Sequence, residues 1–254
     1  MSGAARAGAR VIGRVIHALD EVGSTQAEVA RLAAEGAPEG VVVTARHQRA
    51  GRGRLGRAWW DQPGQSLLLS VLLRPPVAST RVPQLSLVGG LAVIDAVAAE
   101  TGLTPGMRWP NDVMVGERKV CGVLAEATTR ADGGVDRVIL GIGLNVNQES
   151  FPPDVAGRAS SLRLLTGRVH DRERLLATLL EALDARYREF LAESEDLRAA
   201  WRRHSVTLGA HVRAADGREG VAVDLDETGA LLVRTADGAL LRVVSGEIAG
   251  APAA

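Results

Sequence analysis

The sequence predicts an α/β domain that is followed by a small antiparallel β unit. Up to residue 203, compact apolar runs typical of buried strands alternate with segments of helical spacing. Beyond Arg203 the chain changes to short alternating segments separated by turns, which is typical of antiparallel strands. With 254 residues, 46% of them hydrophobic, the chain can bury one substantial core and a smaller second one.

Four apolar runs are predicted to be strands of the α/β domain. Residues 41–44 are β-branched and compact, and residues 66–73 (SLLLSVLL) form an uninterrupted apolar run, so both suit buried strands. Residues 120–127 and 138–146 carry glycines where a ligand or a neighbouring backbone could approach closely. We expect these last two runs to pair with each other.

The first predicted helix covers residues 24–36. Thr25 and Glu28 have capping-box spacing, and Gly36 suits the left-handed position that follows a helix. Residues 84–101 have the spacing of a core helix. Residues 171–192 place leucines near one face and charges elsewhere, so this amphipathic helix is expected to close the domain.

The segment beyond residue 203 predicts three strands, joined by DETG and TADG turns, at residues 220–224, 230–235 and 239–244. About 45 residues bury little core alone, so we expect this unit to lean on the larger domain. The predicted organisation is a disordered N-terminal tail at 1–14, a main α/β domain at 15–200 and a β unit at 204–250.

The composition argues against several classes of protein. Thirty basic and thirty acidic side chains cancel, so no field of the whole molecule draws it to DNA or to an anionic membrane. The single cysteine, Cys121, rules out an internal disulfide, which fits a reducing compartment. The chain start has no apolar leader, and no run is judged to approach the length of a membrane span. We therefore expect a cytoplasmic protein that binds neither DNA nor a membrane.

The segment 46–60, RHQRAGRGRLGRAWW, has five arginines, three glycines and no carboxylate. Guanidinium groups form paired hydrogen bonds with phosphate, and the glycines let the backbone wrap around a ligand with its N–H groups exposed. The segment therefore predicts a phosphate clamp. A solvated basic loop and a nucleic-acid patch are the alternatives that its composition leaves open.

A second cluster, RWPND at 108–112, is followed by Lys119 just before the predicted strand VCGVLAEA. Pro110 fixes a turn, Asn111 and Asp112 supply an amide and a carboxylate there, and Lys119 places a compact positive charge. Together these groups suit the activation of a carboxylate. Either piece alone is more typical of an ordinary turn beside a solvated lysine.

The third cluster, GIGLNVN at 141–147, alternates apolar residues with Gly and Asn, so one face of this strand is small and polar. Such a face can line a flat ring system, although close packing of the backbone produces the same pattern.

Three kinds of aromatic or reactive side chain stand beside these motifs. His47 and Cys121 are expected to be structural or incidental, because a loop histidine and a strand thiol usually are. Trp59, Trp60 and Trp109 could wall a ligand pocket, but we expect at least two of them to serve packing.

Four ordered motifs, GRGRLGRAW, RWPNDV, RKVCGVLAEA and GIGLNVN, resemble those of the biotin–protein ligase family over most of the chain. The C-terminal β unit, up to Gly246-Glu247-Ile248, resembles the SH3-like domain of that family. The resemblance implies an α/β fold of the class II aminoacyl-tRNA synthetase type. Such a fold has a mixed sheet with flanking helices and differs from a Rossmann sheet.

The resemblance also implies roles for individual residues. The implied biotin site consists of Ser24, Thr25, Gln26, Gln48, Arg52, Gly53, Arg54, Lys119 and Gly122. The implied adenylate or ATP site consists of Arg52, Arg54, Arg57, Trp59, Asn111, Lys119 and Asn145. The implied catalytic residues are Lys119, Arg52, Arg54 and Asp112. Gln26 stands where the family usually has Asn, and Glu247 is expected to pair with Arg54.

The activity implied by the resemblance joins biotin to ATP as biotinyl-5′-adenylate and transfers it to a lysine of a biotin carboxyl carrier protein. The acceptor would belong to acetyl-CoA carboxylase or a related carboxylase, and an exposed edge strand could pair with it. Mg²⁺ would bind through ATP without protein ligands of its own. The ligase is expected to be a monomer or a weak homodimer.

Three alternatives remain open at this point. Lipoate-protein ligases and octanoyltransferases share the fold and also modify carrier lysines. A repressor of biotin synthesis would carry a helix-turn-helix domain before the same core, whereas about twenty residues precede Ser24. A nucleic-acid-binding module would use the clustered arginines, but the zero net charge weakens that reading.

Overall fold

The computed structural model describes residues 10–214 and 216–244, and a seven-stranded mixed sheet lies at its centre. Its strands are β1 (Ile16–Val22), β2 (Val42–Gln48), β3 (Ser66–Leu73), β4 (Gly106–Arg108), β5 (Asp112–Val115), β6 (Arg118–Thr129) and β7 (Val135–Asn145). Their order across the sheet is β1-β2-β3-β7-β6-β5-β4. β1 and β2 are parallel, and all other neighbours are antiparallel. The prediction of an α/β domain with a mixed sheet is confirmed.

Helices cover both faces of this sheet. They are α1 (Thr25–Ala34), α2 (Pro83–Thr101), α3 (Pro153–Ala156), α4 (Leu162–Thr166), α5 (Arg172–Leu191) and α6 (Glu195–His204). α2 and α5 pack together on one face, and α1 packs on the other against β2, β3 and β7. Leu140, Ile142 and Leu144 of β7 belong to the core on the α2 side. Because side chains alternate along a strand, Gly141 and Gly143 face the α1 side.

The predicted strands are largely confirmed. β3 coincides with residues 66–73, and β6 and β7 are antiparallel neighbours that place Gly122 opposite Gly143. The short strands β4 and β5 were not predicted, because they lie on either side of the RWPND turn and are too short to show an apolar alternation.

β2 is longer than predicted. It continues to Gln48, because His47 and Gln48 pair with Glu21 and Val22 of β1. Residues 46–48 therefore lie on a strand, and only residues 49–60, called the arginine loop below, remain of the basic segment as a connection. β1 itself was not predicted, since most of its side chains are exposed and it has no buried apolar face.

α1 confirms the first predicted helix, and Gly36 has the expected positive φ of 88°. The capping-box interpretation is wrong. The N-cap residue is Ser24, the Thr25 hydroxyl turns into the cavity described below, and the Glu28 carboxylate pairs with Arg31. Thr25 and Glu28 have the spacing of the motif, but they occupy the first and fourth positions of the helix instead of the N-cap and the third position.

α2 is the core helix of the domain. With the turn before it, Ser79–Thr101, it is long and apolar enough to cross a membrane, at a mean hydropathy of 1.6. We expected that no run of residues would approach the length of a membrane span. That expectation is wrong, because this helix has the length and the apolar composition of a span. The helix nevertheless packs against α5 and β6, and 67% of its most apolar window is buried inside the protein. Burial of this kind is the behaviour of a core helix.

The C-terminal unit is a four-stranded antiparallel sheet of order β11-β10-β9-β8. Its strands are β8 (His211–Arg213), β9 (Glu219–Leu225), β10 (Leu231–Arg234) and β11 (Leu240–Val243). The three predicted strands are present, and β8 is an addition. The Trp109 indole N–H donates to the Gly229 carbonyl at 3.0 Å, and the Trp109 backbone N–H donates to Thr207 Oγ1 at 2.9 Å. The unit therefore leans on the larger domain, as expected.

Both ends of the α/β domain differ from the prediction. α5 does not close it, because α6 packs against α2 and α5 and buries Trp201. At the other end, Ile12 is fully buried, and the N–H groups of Val11 and Ile12 donate to Asp184 Oδ1 at 2.7 and 2.9 Å. Residues 10–12 are thus held against α5, unlike the tail predicted for 1–14, whose first nine residues lie outside the described part of the chain.

Candidate active site

A cavity of about 650 Å³ opens on the α1 side of the sheet, beside the arginine loop. The predicted site residues that line it are Thr25, Gln26, Gln48, Arg52, Gly53, Arg54, Arg57, Trp59, Asn111, Asp112, Lys119, Gly122 and Asn145. The strands β2, β3, β6 and β7 thus converge with the start of α1 on one concave surface. A volume of this size accommodates a ligand with a ring system and a chain.

One end of the cavity is polar and uncharged. Gln48 Oε1 accepts hydrogen bonds from the Thr25 backbone N–H at 2.7 Å and from Thr25 Oγ1 at 3.0 Å. The Thr25 hydroxyl also lies 2.8 Å from Ser70 Oγ. Gln26 donates to the Leu124 carbonyl at 3.3 Å. The start of α1 is therefore tied to β2, β3 and β6 by buried polar groups that can also face a polar ring.

The glycines of β6 and β7 form the floor of the cavity. A Cβ atom at Gly143 would lie 2.6 Å from Trp59 Cε2, and one at Gly122 would lie 2.9 Å from Trp59 Cζ3. The flat ring that this glycine face holds is thus the indole of Trp59. Its Nε1–H is buried and has no hydrogen-bond partner among the described residues. At Gly141 the neighbour of such a Cβ would be the Gln26 side chain, at 2.9 Å.

Lys119 and Asp112 form an ion pair inside the cavity. Lys119 Nζ lies 2.6 Å from Asp112 Oδ1, and the two side chains are 31% and 24% exposed. The contact is electrostatic, because Asp112 Oδ1 has no directed hydrogen bond from the described residues. Lys119 Nζ also lies 5.6 Å from the Trp59 ring centroid. The ammonium group is therefore held between the carboxylate and the indole, at the centre of the floor.

Arg52 and Arg54 link the arginine loop to the wall of the cavity. Arg52 pairs with Glu126 of β6 at 2.8 Å, and Arg54 donates to Asn111 Oδ1 at 3.1 Å. Burial lowers the pKa of the Arg54 guanidinium; the nearby Asp112 carboxylate raises it, and Arg57 lowers it further. An arginine guanidinium does not lose its proton in proteins, so Arg54 remains a cation. Leu55, at the tip of the loop, has a left-handed φ of 57°.

Two asparagines use their amide groups to shape the walls. Asn111 Nδ2 donates to the Val123 carbonyl at 2.9 Å, so the amide bridges β6 and Arg54. Asn145 Nδ2 donates to the Ser160 carbonyl at 3.1 Å, and its Oδ1 accepts from Gln148 at 3.0 Å. Both amides are thus oriented by the protein before any ligand binds.

Comparison with known proteins gives one consistent result. A profile described as the biotin/lipoate A/B protein ligase family matches residues 21–145, and one described as the biotin protein ligase C terminal domain matches residues 207–249. The chain is 38% identical over 229 residues to the biotin--[acetyl-CoA-carboxylase] ligase of Mycobacterium tuberculosis, covering 86% of this chain and 82% of that protein. It is 34% identical over 244 residues to the bifunctional ligase/repressor BirA of Bacillus spizizenii, covering 94% of this chain and 74% of that protein.

The fold agrees with a solved structure of the same kind. The biotin protein ligase from Aquifex aeolicus in complex with biotin and ATP superimposes with a TM-score of 0.80, at 34% identity, over 93% of this chain and 98% of that one. The chain belongs to the biotin protein ligase family.

Family membership fits the positions of the predicted site residues. Of the predicted set, Ser24 does not line the cavity, since it is the buried N-cap of α1. The predicted pairing of Glu247 with Arg54 lies outside the described residues. The roles that the resemblance assigns to the remaining residues stay predictions.

Several cavity residues escaped the sequence analysis. Ser70, Leu55, Phe151 and Arg158 line it, and Phe151 packs against Trp60 with ring centroids 5.5 Å apart. The segment around Arg158 joins the site because its carbonyl accepts the Lys119 N–H at 2.8 Å. Residues 151–160 show no periodic pattern, so no sequence signal marks them. Ser70 was detectable as the polar residue inside the apolar run of β3.

The aromatic and reactive side chains behave in different ways. All three tryptophans line the cavity. Trp59 lies against its glycine floor, Trp60 also packs on Phe151, and Trp109 is also buried in the core, as expected of a packing residue. Cys121 is fully buried, and burial raises the pKa of its thiol well above the usual range. The thiol is therefore unreactive at neutral pH.

A second cavity, of about 520 Å³, lies between α6 and the β9–β10 turn. None of the predicted site residues that are described lines it. It is separate from the cavity that carries the family motifs.

Proposed function

We propose that the protein is an ATP-dependent ligase that converts biotin to biotinyl-5′-adenylate and transfers it to a lysine of a biotin carboxyl carrier protein. The observation that carries this proposal is the arrangement of one cavity, whose uncharged polar end at Thr25 and Gln48 leads across a glycine floor to Lys119. Biotin has a matching order of parts, with a polar ureido ring at one end and a carboxylate at the other.

The arrangement supports a defined orientation of biotin. The ureido ring would meet the amide and hydroxyl groups of Gln48, Thr25 and Ser70, which can both donate and accept hydrogen bonds. The carboxylate would then reach Lys119, where a positive charge is already in place. The Trp59 indole covers the glycine floor between these ends, and the ring system and the chain of biotin would lie against it.

In the first step, an oxygen of the biotin carboxylate attacks the α-phosphorus of ATP, and the bond from that phosphorus to the β-phosphate oxygen breaks. Pyrophosphate leaves, and a mixed anhydride remains. Negative charge builds up on the α-phosphate oxygens in the transition state. Arg52, Arg54 and Lys119 stabilise that charge, which is where fixed positive groups have their largest effect on rate.

Mg²⁺ is proposed to enter the site bound to the triphosphate, where it would offset phosphate charge. Among the described residues, no group of three His, Cys, Asp or Glu side chains could hold a metal ion. Asp112, the carboxylate nearest the reacting centre, is paired with Lys119. We therefore assign no protein ligand to Mg²⁺.

In the second step, the neutral amine of the acceptor lysine attacks the carbonyl carbon of the adenylate, and AMP leaves with the anhydride oxygen. The attacking nitrogen must lose a proton, and Asp112 is the carboxylate placed to orient or accept it. The arginine loop, which lies over the cavity, would exclude water and so protect the adenylate from hydrolysis.

The acceptor is proposed to be a biotin carboxyl carrier protein of acetyl-CoA carboxylase or a related carboxylase. β1 offers a docking edge for it, because its outer side pairs with no strand among the described residues and most of its side chains are exposed. We further propose that the ligase works in the cytoplasm, as a monomer or a weak homodimer that does not bind DNA.

The finer description of the fold is part of the same proposal. The mixed sheet with flanking helices is compatible with a class II aminoacyl-tRNA synthetase type of domain. The four-stranded antiparallel unit is compatible with an SH3-like barrel. The division at 15–200 and 204–250 remains a prediction, with α6 (Glu195–His204) at the junction.

The experiment that tests the function is transfer to a carrier domain. The protein is incubated with biotin, ATP, Mg²⁺ and a purified biotin carboxyl carrier domain, and the product is detected by streptavidin blot and intact mass. We expect one biotin per carrier, none without ATP, and none when the acceptor lysine is replaced by arginine. Modification by lipoate or octanoate in place of biotin would assign the chain to a sister activity of the same fold.

A further inference from the structure

A buried carboxylate closes the base of the arginine loop. Asp61 follows the loop directly, and its side chain is fully buried. Asp61 Oδ2 accepts the Gln48 backbone N–H at 2.9 Å, and Oδ1 lies 2.6 Å from His47 Nδ1. The last two residues before the loop are therefore bonded to the first residue after it.

The carboxylate takes the place of a missing strand partner. β2 pairs with β3 only as far as Ala45, although β2 itself continues to Gln48. On the side that β3 has left, the Gln48 N–H has no backbone acceptor in β3, and the side-chain carboxylate of Asp61 accepts this hydrogen bond instead. Further along, the Trp59 N–H donates to the Gly51 carbonyl at 2.9 Å. The segment that enters the loop and the segment that leaves it are therefore hydrogen bonded to each other twice, once within the loop and once at the end of β2, through Asp61.

The same contact fixes the polar end of the cavity. Gln48 Oε1 is committed to the two donors of Thr25, since a backbone N–H can only donate. The Gln48 Nε2 group then remains to donate hydrogen bonds to other groups. It lies close to the loop, since a Cβ atom built at Gly51 would be 3.2 Å from it. Holding the Gln48 backbone therefore sets where this side chain meets α1, the loop and the cavity.

We propose that Asp61 is a positioning residue for ligand binding, which acts through Gln48 on the polar end of the cavity and through the loop base on loop closure. The inference rests on the proposed function, because it assigns that polar end to the ureido ring of biotin. His47 completes the contact by hydrogen bonding the second carboxylate oxygen. No contact between Asp61 and a ligand is required.

The conservative and the disruptive substitution of Asp61 should differ sharply. Asp61→Asn keeps an oxygen for the Gln48 N–H, and its amide can donate to His47 Nδ1 when the ring proton is on Nε2. Asp61→Ala removes both contacts and leaves the Gln48 N–H without its acceptor. A second buried carboxylate offers a matched control. Asp184 also accepts backbone N–H groups, but it lies on α5 and holds Val11 and Ile12 instead of the arginine loop.

The test measures biotin-dependent pyrophosphate exchange by the full-length protein and its Asp61→Ala, Asp61→Asn and Asp184→Ala variants, each with its melting temperature. We expect Asp61→Ala to raise the KM for biotin by about tenfold or more, with a change of less than about threefold for ATP. Asp61→Asn should restore the biotin KM to within about threefold of the unmodified protein. Asp184→Ala should lower the melting temperature and leave both KM values unchanged. If Asp61→Ala is insoluble, Asp61→Ser gives the same comparison.

Limited trypsin digestion provides a readout that does not depend on the enzymatic assignment. The arginine loop offers cleavage sites at Arg52, Arg54 and Arg57, and release of its base should speed cleavage there in Asp61→Ala but not in Asp184→Ala. Unchanged loop cleavage together with an unchanged biotin KM would overturn the proposal. If the unmodified protein shows no biotin-dependent exchange, the proposed function fails, while the cleavage comparison still decides whether Asp61 holds the loop.

Discussion

Lys119 Nζ lies 2.6 Å from Asp112 Oδ1, across the β5–β6 hairpin. A register shift between Val113 and Met114 interrupts the pairing of these two strands, so that Lys119 is opposite Met114 and Gly122 is opposite Asp112. The lysine side chain then reaches back over Gly122, where a Cβ would lie 3.3 Å from Nζ. The irregular hairpin places an ammonium group and a carboxylate at one point of the cavity floor.

Loss of the Lys119 charge should strongly slow the activation of biotin. We expect Lys119→Ala to lower kcat/KM for biotin-dependent adenylation by about 10²–10³-fold, because it removes a fixed charge from the reacting phosphate.

Asp112→Asn should affect transfer to the carrier more than adenylation. Single-turnover assays of the two half-reactions separate these effects, with Arg218→Ala in the C-terminal unit as the control. Equal losses in both half-reactions for Asp112→Asn would argue against its role at the amine.

A methyl group on the cavity floor should displace Trp59. Gly143→Ala places a Cβ 2.6 Å from the indole, which must move. We expect a shifted tryptophan emission and a KM for biotin that is raised about tenfold or more. Gly157→Ala is the matched control, since a Cβ there meets nothing within 4 Å. Normal emission and a normal KM in Gly143→Ala would show that the indole does not depend on the glycine floor.

Release of the loop tip should let the adenylate escape. Arg54→Gly removes the bond to Asn111 and the charge near the phosphate. We expect biotinylation of bystander lysines in added albumin to rise, while the carrier is labelled less selectively. Arg49→Gly, an exposed arginine of the same loop that pairs with Glu21, should not do this. Unchanged selectivity in Arg54→Gly would contradict a retaining role of the loop.

The N-terminal attachment should depend on pH through Asp184. Desolvation alone would raise the pKa of this carboxyl, but the Ile12 and Val11 N–H groups and Arg188 outweigh it and lower the pKa. A lowered pKa means that the charged form stabilises the fold above the unfolded-state pKa of about 3.9, and that this contribution is lost as pH falls through the folded-state value. At pH 7, Asp184→Asn should cost about 1 kcal/mol.

Thermal unfolding at several pH values checks this prediction. A cost of that size corresponds to a melting temperature about 2–4 °C lower for a protein of this length. The difference between Asp184→Asn and the unmodified protein should narrow as the pH is lowered below about 4. A difference that stays constant down to pH 3 would show that charge on Asp184 does not contribute.

Sequence patterns predicted well those elements whose buried residues form a continuous run or recur at a regular spacing. β3 and the pair β6–β7 are uniform or glycine-marked apolar runs, and α5 has one buried face. β1 could not be predicted, because an exposed edge strand has no buried face to leave a pattern. The extension of β2 to Gln48 depends on that same unrecognised partner.

The site was predictable as a set of residues but not as a set of contacts. The charged motifs lie together in one cavity, yet nothing in the sequence indicates that the glycine floor holds Trp59 or that Asp61 bonds to Gln48. Those contacts depend on where the loop returns to the sheet, which is a property of the tertiary structure. The capping-box interpretation failed for a related reason, since tertiary partners took the Thr25 hydroxyl.

The most direct test of biotin activation is the exchange of labelled pyrophosphate into ATP, measured separately with biotin, lipoate, octanoate and no acid. It needs no knowledge of the acceptor. We predict exchange that requires biotin in the unmodified protein and is about 10²-fold slower or more in Lys119→Ala. Exchange with lipoate or octanoate but not biotin, or exchange at an unchanged rate in Lys119→Ala, would contradict the assignment of the cavity.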